Sequence, residues 1–203
     1  MIIVHHLNNS RSQRVLWLLE ELGVPYEIQK YQRDAKTMLA PPELLKVHPL
    51  GKSPVITDDG VTVAESGAII EYLLERYGNG RLAPPAGSPA RARYLQWLHF
   101  GEASLLPPLG DIAQHAMFRP EAERIPAMVV DGRRRATAKL DVLEQALAGS
   151  AYLCGAELTA ADVMVGYGVA IAALLGVVGD QHPHLRAYLA RLETRPAFEK
   201  AFA

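Results

Sequence analysis

The 203-residue chain has a single cysteine, Cys154, which excludes an intrachain disulfide, a CxxC redox pair and a thiolate zinc cluster. It also lacks a charge excess: 21 Lys and Arg stand against 22 Asp and Glu, for a net charge of −1 and a pI near 6.7. No bulk positive field is available for nucleic acid or an anionic membrane, so neither is expected as a partner. The start, Met1-Ile2-Ile3-Val4-His5-His6, has neither the basic region nor the long apolar run of a secretory signal and reads as a strand. The longest apolar stretch, Val163 to Gly179, is about 17 residues against the roughly 20 needed to span a bilayer, and Gly166, Gly168 and Gly176 interrupt it. Flanked by Asp162 and Asp180, it is expected to be a buried core helix. These absences make the cytoplasm the expected location. What the chain does have is apolar side chain, 49% of its residues, which is enough for a folded core.

Periodicity divides the sequence. Gly78-Asn79-Gly80, Pro84-Pro85, Gly87 and Pro89 break any regular pattern, so the expected domains are residues 1–79 and 89–203, joined by a linker at 80–88. In the first, Ile2–Leu7 and Tyr26–Tyr31 have strand character, and Val15, Leu18, Leu19 and Leu22 between them recur at helical spacing. Strands Pro54–Thr57 and Val61–Val63 then flank Asp58-Asp59-Gly60, a hairpin signal, and a helix runs from Ser66 to about Tyr77. The order β-α-β-β-β-α fits a thioredoxin-like α/β sheet. After the linker the signals are helical: Ser88-Pro89 as a start, a stripe at Ala136, Leu140, Leu143 and Leu147, a capping box Thr159-x-x-Asp162, and Leu185, Leu189 and Leu192. The second domain is expected to be all-α.

Three segments carry a resemblance. They are His6-Leu7-Asn8-Asn9-Ser10-Arg11-Ser12-Gln13-Arg14 leading into a helix; Pro49-Leu50-Gly51-Lys52-Ser53-Pro54-Val55 with Glu65-Ser66-Gly67; and Tyr152-Leu153-Cys154-Gly155 with Leu158-Thr159-Ala160-Ala161-Asp162, followed by Arg195-Pro196-Ala197-Phe198. In this order the chain resembles the cytosolic glutathione transferases, with a loop closer to the bacterial and fungal branches than to the mammalian ones. The resemblance implies an N-terminal thioredoxin-like domain that binds glutathione as co-substrate, a C-terminal all-helical domain with an electrophile pocket, no metal, and a homodimer.

It also implies residue roles. Pro54 would be cis, presenting the Ser53 backbone to the cysteinyl part of glutathione. Ser66, at a helix start, would hold the γ-glutamyl carboxylate, Glu65 the ammonium group and Lys52 the glycyl carboxylate. The thiolate would be stabilised from the loop after the first strand. No tyrosine is present there, because the position used by the tyrosine classes falls on His5; Ser10 is the first candidate, Asn9 the second, with Ser12 as a further donor and Arg11 adding positive charge. Trp97, Phe100, Met117 and Phe118 are the expected electrophile contacts.

Several of these residues also have plain structural readings. Ser10-x-x-Gln13 is a capping box, Arg133-Arg134-Arg135 a solvated helix face, Cys154 inert packing, and one of His5 and His6 a hydrogen-bonded core histidine. Three functions stay open at this point: conjugation of glutathione to a small electrophile, glutathione-dependent disulfide or peroxide reduction, and a non-catalytic binding or scaffold role on the same fold.

Overall fold

A computed structural model describes residues 1–35 and 37–203. The chain separates into two compact units, Met1–Leu82 together with Arg195–Ala203, and Ala83–Thr194.

The first unit is built on a four-stranded mixed sheet. Strands β1 (Ile2–Leu7) and β2 (Tyr26–Tyr31) are joined by helix α1 (Ser12–Leu22); a short α2 (Glu43–Val47) follows, then β3 (Val55–Asp58), β4 (Val61–Ala64) and α3 (Ser66–Tyr77). The strand order is β2-β1-β3-β4. Strand β1 runs parallel to β2, with Ile2 opposite Tyr26 and His6 opposite Lys30, and antiparallel to β3, with Ile2 opposite Asp58. Its central position explains why Ile2, Val4 and Leu7 are buried while edge strand β2 is largely exposed. The expected thioredoxin-like topology is therefore present.

Local chemistry sets the ends of these elements. Asp59 and Gly60 both take positive φ, 46° and 84°, as a two-residue hairpin connection between twisted strands requires. Helix α1 ends at Gly23, left-handed at φ 65°, where the Gly23 and Val24 N–H groups return to the carbonyls of Glu20 and Leu19. Its core face carries Val15, Leu18, Leu19 and Leu22, as the spacing predicted. Fully buried Trp17 packs edge-on to Phe198 of α9 (Pro196–Phe202), so residues 195–203 complete the core of this first unit. The sequence reading had placed them with the second domain.

The second unit is helical: α4 (Pro89–His99), α5 (Leu106–Ala113), α6 (Pro126–Leu147), α7 (Ala160–Leu174) and α8 (Pro183–Glu193). Between α4 and α5 the chain forms a wide π-helical turn at Phe100–Leu105, and a second follows at Gln114–Phe118. Pro107 and Pro108 lack the N–H groups an α-helix would need there, which accounts for the change of pitch before them. Gly101 lets this turn approach α7 closely, since a Cβ at that position would lie 2.9 Å from the Met164 carbonyl carbon.

The Thr159–Asp162 capping box is formed as expected. Helix α7 is buried and ends at Leu174, short of Gly179, where Gly176 (φ 63°) turns the chain away. Two capping expectations need correction. Ser88 precedes α4 but turns its hydroxyl to the Pro85 carbonyl (2.8 Å) instead of capping the helix. At α1 the residue before the helix is Arg11, so Ser10 lies one position too early to form a box with Gln13. Arg134 and Arg135 pair with Asp131, and Arg135 also with Asp111, while Arg133 donates to the Leu175 and Gly176 carbonyls at the end of α7. Among the described residues no helix is long and apolar enough to cross a membrane.

Candidate active site

The loop between β1 and α1 brings Ser10, and Ser12 behind it, to Ser53 of the cis Ser53–Pro54 bond at the start of β3. Ser10 is only 5% exposed. Its Oγ lies 2.7 Å from Ser12 Oγ and 3.4 Å from Ser53 Oγ, and it accepts from the Ser12 N–H at 3.3 Å. Ser12 Oγ continues to His6 Nδ1 at 2.8 Å. Ser53 Oγ in turn donates to the His5 carbonyl (2.8 Å) and accepts from the Leu7 N–H (3.3 Å). Three hydroxyls and an imidazole thus form one connected chain at the mouth of α1.

Asn9 stands apart from this cluster. It is exposed, with φ 50°, a left-handed conformation that asparagine tolerates better than most residues. Arg11 is exposed at the helix entry. The loop is pinned by a residue the sequence reading did not single out: Arg33 donates to the Asn8 carbonyl (3.2 Å), the Asn9 carbonyl (3.3 Å) and the Met38 carbonyl (3.0 Å), and its own N–H goes to Asn8 Oδ1 (2.9 Å). An isolated arginine after β2 has no sequence signature for such a clamp.

The two histidines differ. His5 is buried, with Nδ1 2.9 Å from the Tyr31 hydroxyl, and burial lowers its pKa from the ordinary 6.5. His6 is half-buried; its pKa is lowered first by burial and then by the positive charge of Lys30.

Two of the glutathione-binding candidates, Glu65 and Ser66, lie at the β4–α3 junction. Ser66 is buried in the first turn of α3, where free N–H groups and the helix dipole favour an anion. Glu65, immediately before it, is exposed and holds φ 71° and ψ 121°, a costly conformation for a residue with a Cβ. Its carbonyl accepts the Ile69 N–H at 2.9 Å, and this bond ties the turn to the helix. Lys52 is exposed on the loop before Ser53. Among the described residues neither Lys52 nor Glu65 has an ion-pair partner, so both charges are available.

In the helical unit, Trp97 is 4% exposed and packs edge-on to half-buried Phe100, with ring centroids 5.3 Å apart. Met117 and Phe118 are exposed in the second π-helical turn. Cys154 sits in a tight turn closed by mutual backbone bonds between Tyr152 and Gly155. Burial pushes its thiol up, which is the opposite of what a nucleophile needs.

With this geometry in view, the comparisons with known proteins agree on one family. Residues 1–75 match the glutathione S-transferase N-terminal domain and residues 121–191 the glutathione S-transferase C-terminal domain. The chain is 36% identical over 210 residues to glutathione S-transferase 3 of Schizosaccharomyces pombe, an alignment covering 97% of this chain and 85% of that one. Its fold is similar to a crystal structure of a glutathione S-transferase from Actinobacillus pleuropneumoniae (TM-score 0.84, 32% identity, 99% of this chain and 91% of that chain). It is also similar to a glutathione transferase homolog from Lodderomyces elongisporus that holds two glutathione molecules per subunit (TM-score 0.87, 25% identity, 99% and 97% covered). The chain belongs to the glutathione S-transferase family.

Proposed function

We propose that this protein binds glutathione on its first unit, lowers the pKa of the bound thiol, and transfers the thiolate to a small electrophile. A free thiol with a pKa near 8.5 is only a few per cent ionised at pH 7, and each unit of lowering requires about 1.4 kcal/mol of selective stabilisation. In this reading Ser10 donates to the sulfur. Ser53 aligns the cysteinyl backbone, Ser66 and the start of α3 hold one carboxylate, Glu65 holds the ammonium group, and Lys52 holds the other carboxylate. The two units would divide the work. Trp97, Phe100, Met117 and Phe118 of the helical unit would meet the second substrate, and the working form would be a cytoplasmic homodimer.

The observation that carries the reading is the 3.4 Å approach of Ser10 Oγ to Ser53 Oγ, which puts a hydroxyl donor beside the residue that would align the cysteine of glutathione. A hydroxyl so fixed stabilises developing negative charge in the manner of an oxyanion hole, and bound reactants gain further from proximity. An ultraviolet difference titration with reduced glutathione tests it. Binding with a clearly lowered thiol pKa is the expected result, and binding with an ordinary thiol pKa overturns the activated-thiolate reading. Turnover of an aryl halide, measured against a disulfide or peroxide substrate, then separates conjugation from reduction. The second reading, reduction, is permitted by the absence of a CxxC pair, with bound glutathione supplying all the sulfur chemistry.

A further inference from the structure

Proton counting fixes the direction of the hydrogen-bond chain around Ser10. The Ser53 hydroxyl has one proton, and it goes to the His5 carbonyl, which can only accept. With the 3.4 Å contact between Ser10 and Ser53 taken as a hydrogen bond, Ser10 is its donor. A hydroxyl that donates there cannot also donate to Ser12, so in the 2.7 Å Ser10–Ser12 contact the proton comes from Ser12. Ser12 has then spent its own proton, and the 2.8 Å contact to His6 must be an Nδ1–H donating to Ser12 Oγ. The result is saturated at each hydroxyl that faces the loop: Ser10 Oγ accepts from Ser12 N–H and Ser12 O–H, which occupies both lone pairs, and keeps only its proton to give. Ser53 Oγ likewise accepts from Leu7 N–H and from Ser10.

We propose that His6 is a positioning residue: held as the Nδ1–H tautomer, it orients the Ser12 and Ser10 hydroxyls in series so that Ser10 can offer only its proton to an approaching sulfur. This rests on the reading in which Ser10 stabilises the thiolate of glutathione. The weakest link in the chain, the 3.4 Å contact with Ser53, is the one a thiolate would replace, and the two shorter links behind it would remain. Were the direction reversed, Ser10 would spend its proton on Ser12 and turn a lone pair toward the anion. The same atoms would then repel the charge they are placed to stabilise. Lys30, opposite His6 on β2, and burial of the ring both disfavour the imidazolium, so a neutral ring with one proton is the form to be oriented.

Two measurements test this on the full chain. Isotope-edited nitrogen NMR of the unliganded protein should find the His6 proton on Nδ1; a proton on Nε2 overturns the proposal, and this readout needs no variant to fold. The second is a double-mutant cycle read by the thiol pKa of bound reduced glutathione. His6→Asp supplies only an acceptor at this position and should reverse the chain, whereas His6→Asn can still donate and should restore it. The pKa rise caused by His6→Asp should be about one unit larger with Ser12 present than in Ser12→Ala, a tenfold difference in the ionisation constant that isolates the relay from the added charge. An equal rise in both backgrounds overturns the proposal. Ser10→Ala keeps the two readings apart: if it leaves the thiol pKa unchanged, the Ser10 assignment itself fails, whereas a rise with Ser10→Ala and no His6–Ser12 coupling removes only the relay.

Discussion

Arg195 reaches Glu21 across 174 residues of sequence, its Nε 2.6 Å from one carboxylate oxygen and its Nη2 2.7 Å from the other. Both ends of the carboxylate are engaged, and the Trp17 indole N–H also donates to Oε1 at 3.0 Å. A planar guanidinium matches a carboxylate in this two-point geometry, which fixes direction as well as distance. Glu21 thereby orients the entry to α9, whose Phe198 covers Trp17. Arg195→Ala should cost about 1–3 kcal/mol in urea unfolding, since the pair is partly exposed and its full Coulomb value is screened. It should also increase proteolytic clipping near residue 195. Stability within a few tenths of wild type would mean that Phe198, Phe202 and the Lys200–Glu20 pair hold the helix without Arg195.

Ser10 and Asn9 should separate cleanly. Ser10→Ala removes the donor and should raise the pKa of bound glutathione by about 1–2 units. Asn9→Gly keeps the left-handed backbone without the amide and should leave that pKa where it was. Asn9→Ala should instead lower stability by about 1 kcal/mol, because alanine is strained at φ 50°. A thiol pKa that moves with Asn9→Gly and not with Ser10→Ala would exchange their roles.

Asp162 should be the most sensitive carboxylate in the helical unit. It is fully buried and accepts from Leu153 N–H, Thr159 N–H, the Thr159 hydroxyl and the Tyr188 hydroxyl. Burial pushes its pKa up, while these four donors pull it down. Asp162→Ala strands buried donors and should cost about 3 kcal/mol or more. Asp162→Asn, which keeps one acceptor oxygen, should be milder. Denaturant midpoints for the two variants rank them directly, and equal midpoints would show that the charge carries the whole effect.

Stability should fall on mild acidification. His5 and His6 both have pKa values below the ordinary 6.5 in the folded protein, chiefly because burial disfavours the imidazolium. Below pH 6.5 the unfolded chain therefore binds protons that the folded chain refuses, and unfolding is favoured progressively until the folded-state pKa values are reached. Well above pH 6.5, where the unfolded histidines are also neutral, these two residues add no slope. His6→Asn should flatten part of the decline, as read by urea unfolding at a series of pH values. A decline of the same steepness in the variant would assign it to other groups.

The sheet and most helices could be read from periodicity because those signals reflect which face is buried. Val15, Leu18, Leu19 and Leu22 mark one such face, and Ala136, Leu140, Leu143 and Leu147 another. Helix entries were less legible. Ser10 and Ser88 are good cap residues by type, yet neither forms a side-chain cap: the Ser10 hydroxyl pairs with the Ser12 hydroxyl and the Ser88 hydroxyl with the Pro85 carbonyl. The Glu65–Ser66 start of α3 could be located through the resemblance, whereas the positive φ of Glu65 could not, since nothing in a glutamate advertises it. The links from His6 to Ser12 and from Arg33 to the 8–9 loop depend on where a turn places side chains in three dimensions. No repeat or spacing records them.

Because Phe198 and Phe202 of α9 both pack against Trp17, the order of synthesis and the order of assembly differ in the first unit. A ribosome that has finished residue 82 has made all four strands and α3, but α9 is synthesised only after the whole helical unit. Until then the Trp17 side of α1 lacks its cover, and the nascent first unit exposes an indole that the finished protein never shows to water. Chaperone demand should therefore peak late in translation. The helical unit, whose segments are contiguous, can complete its own core first.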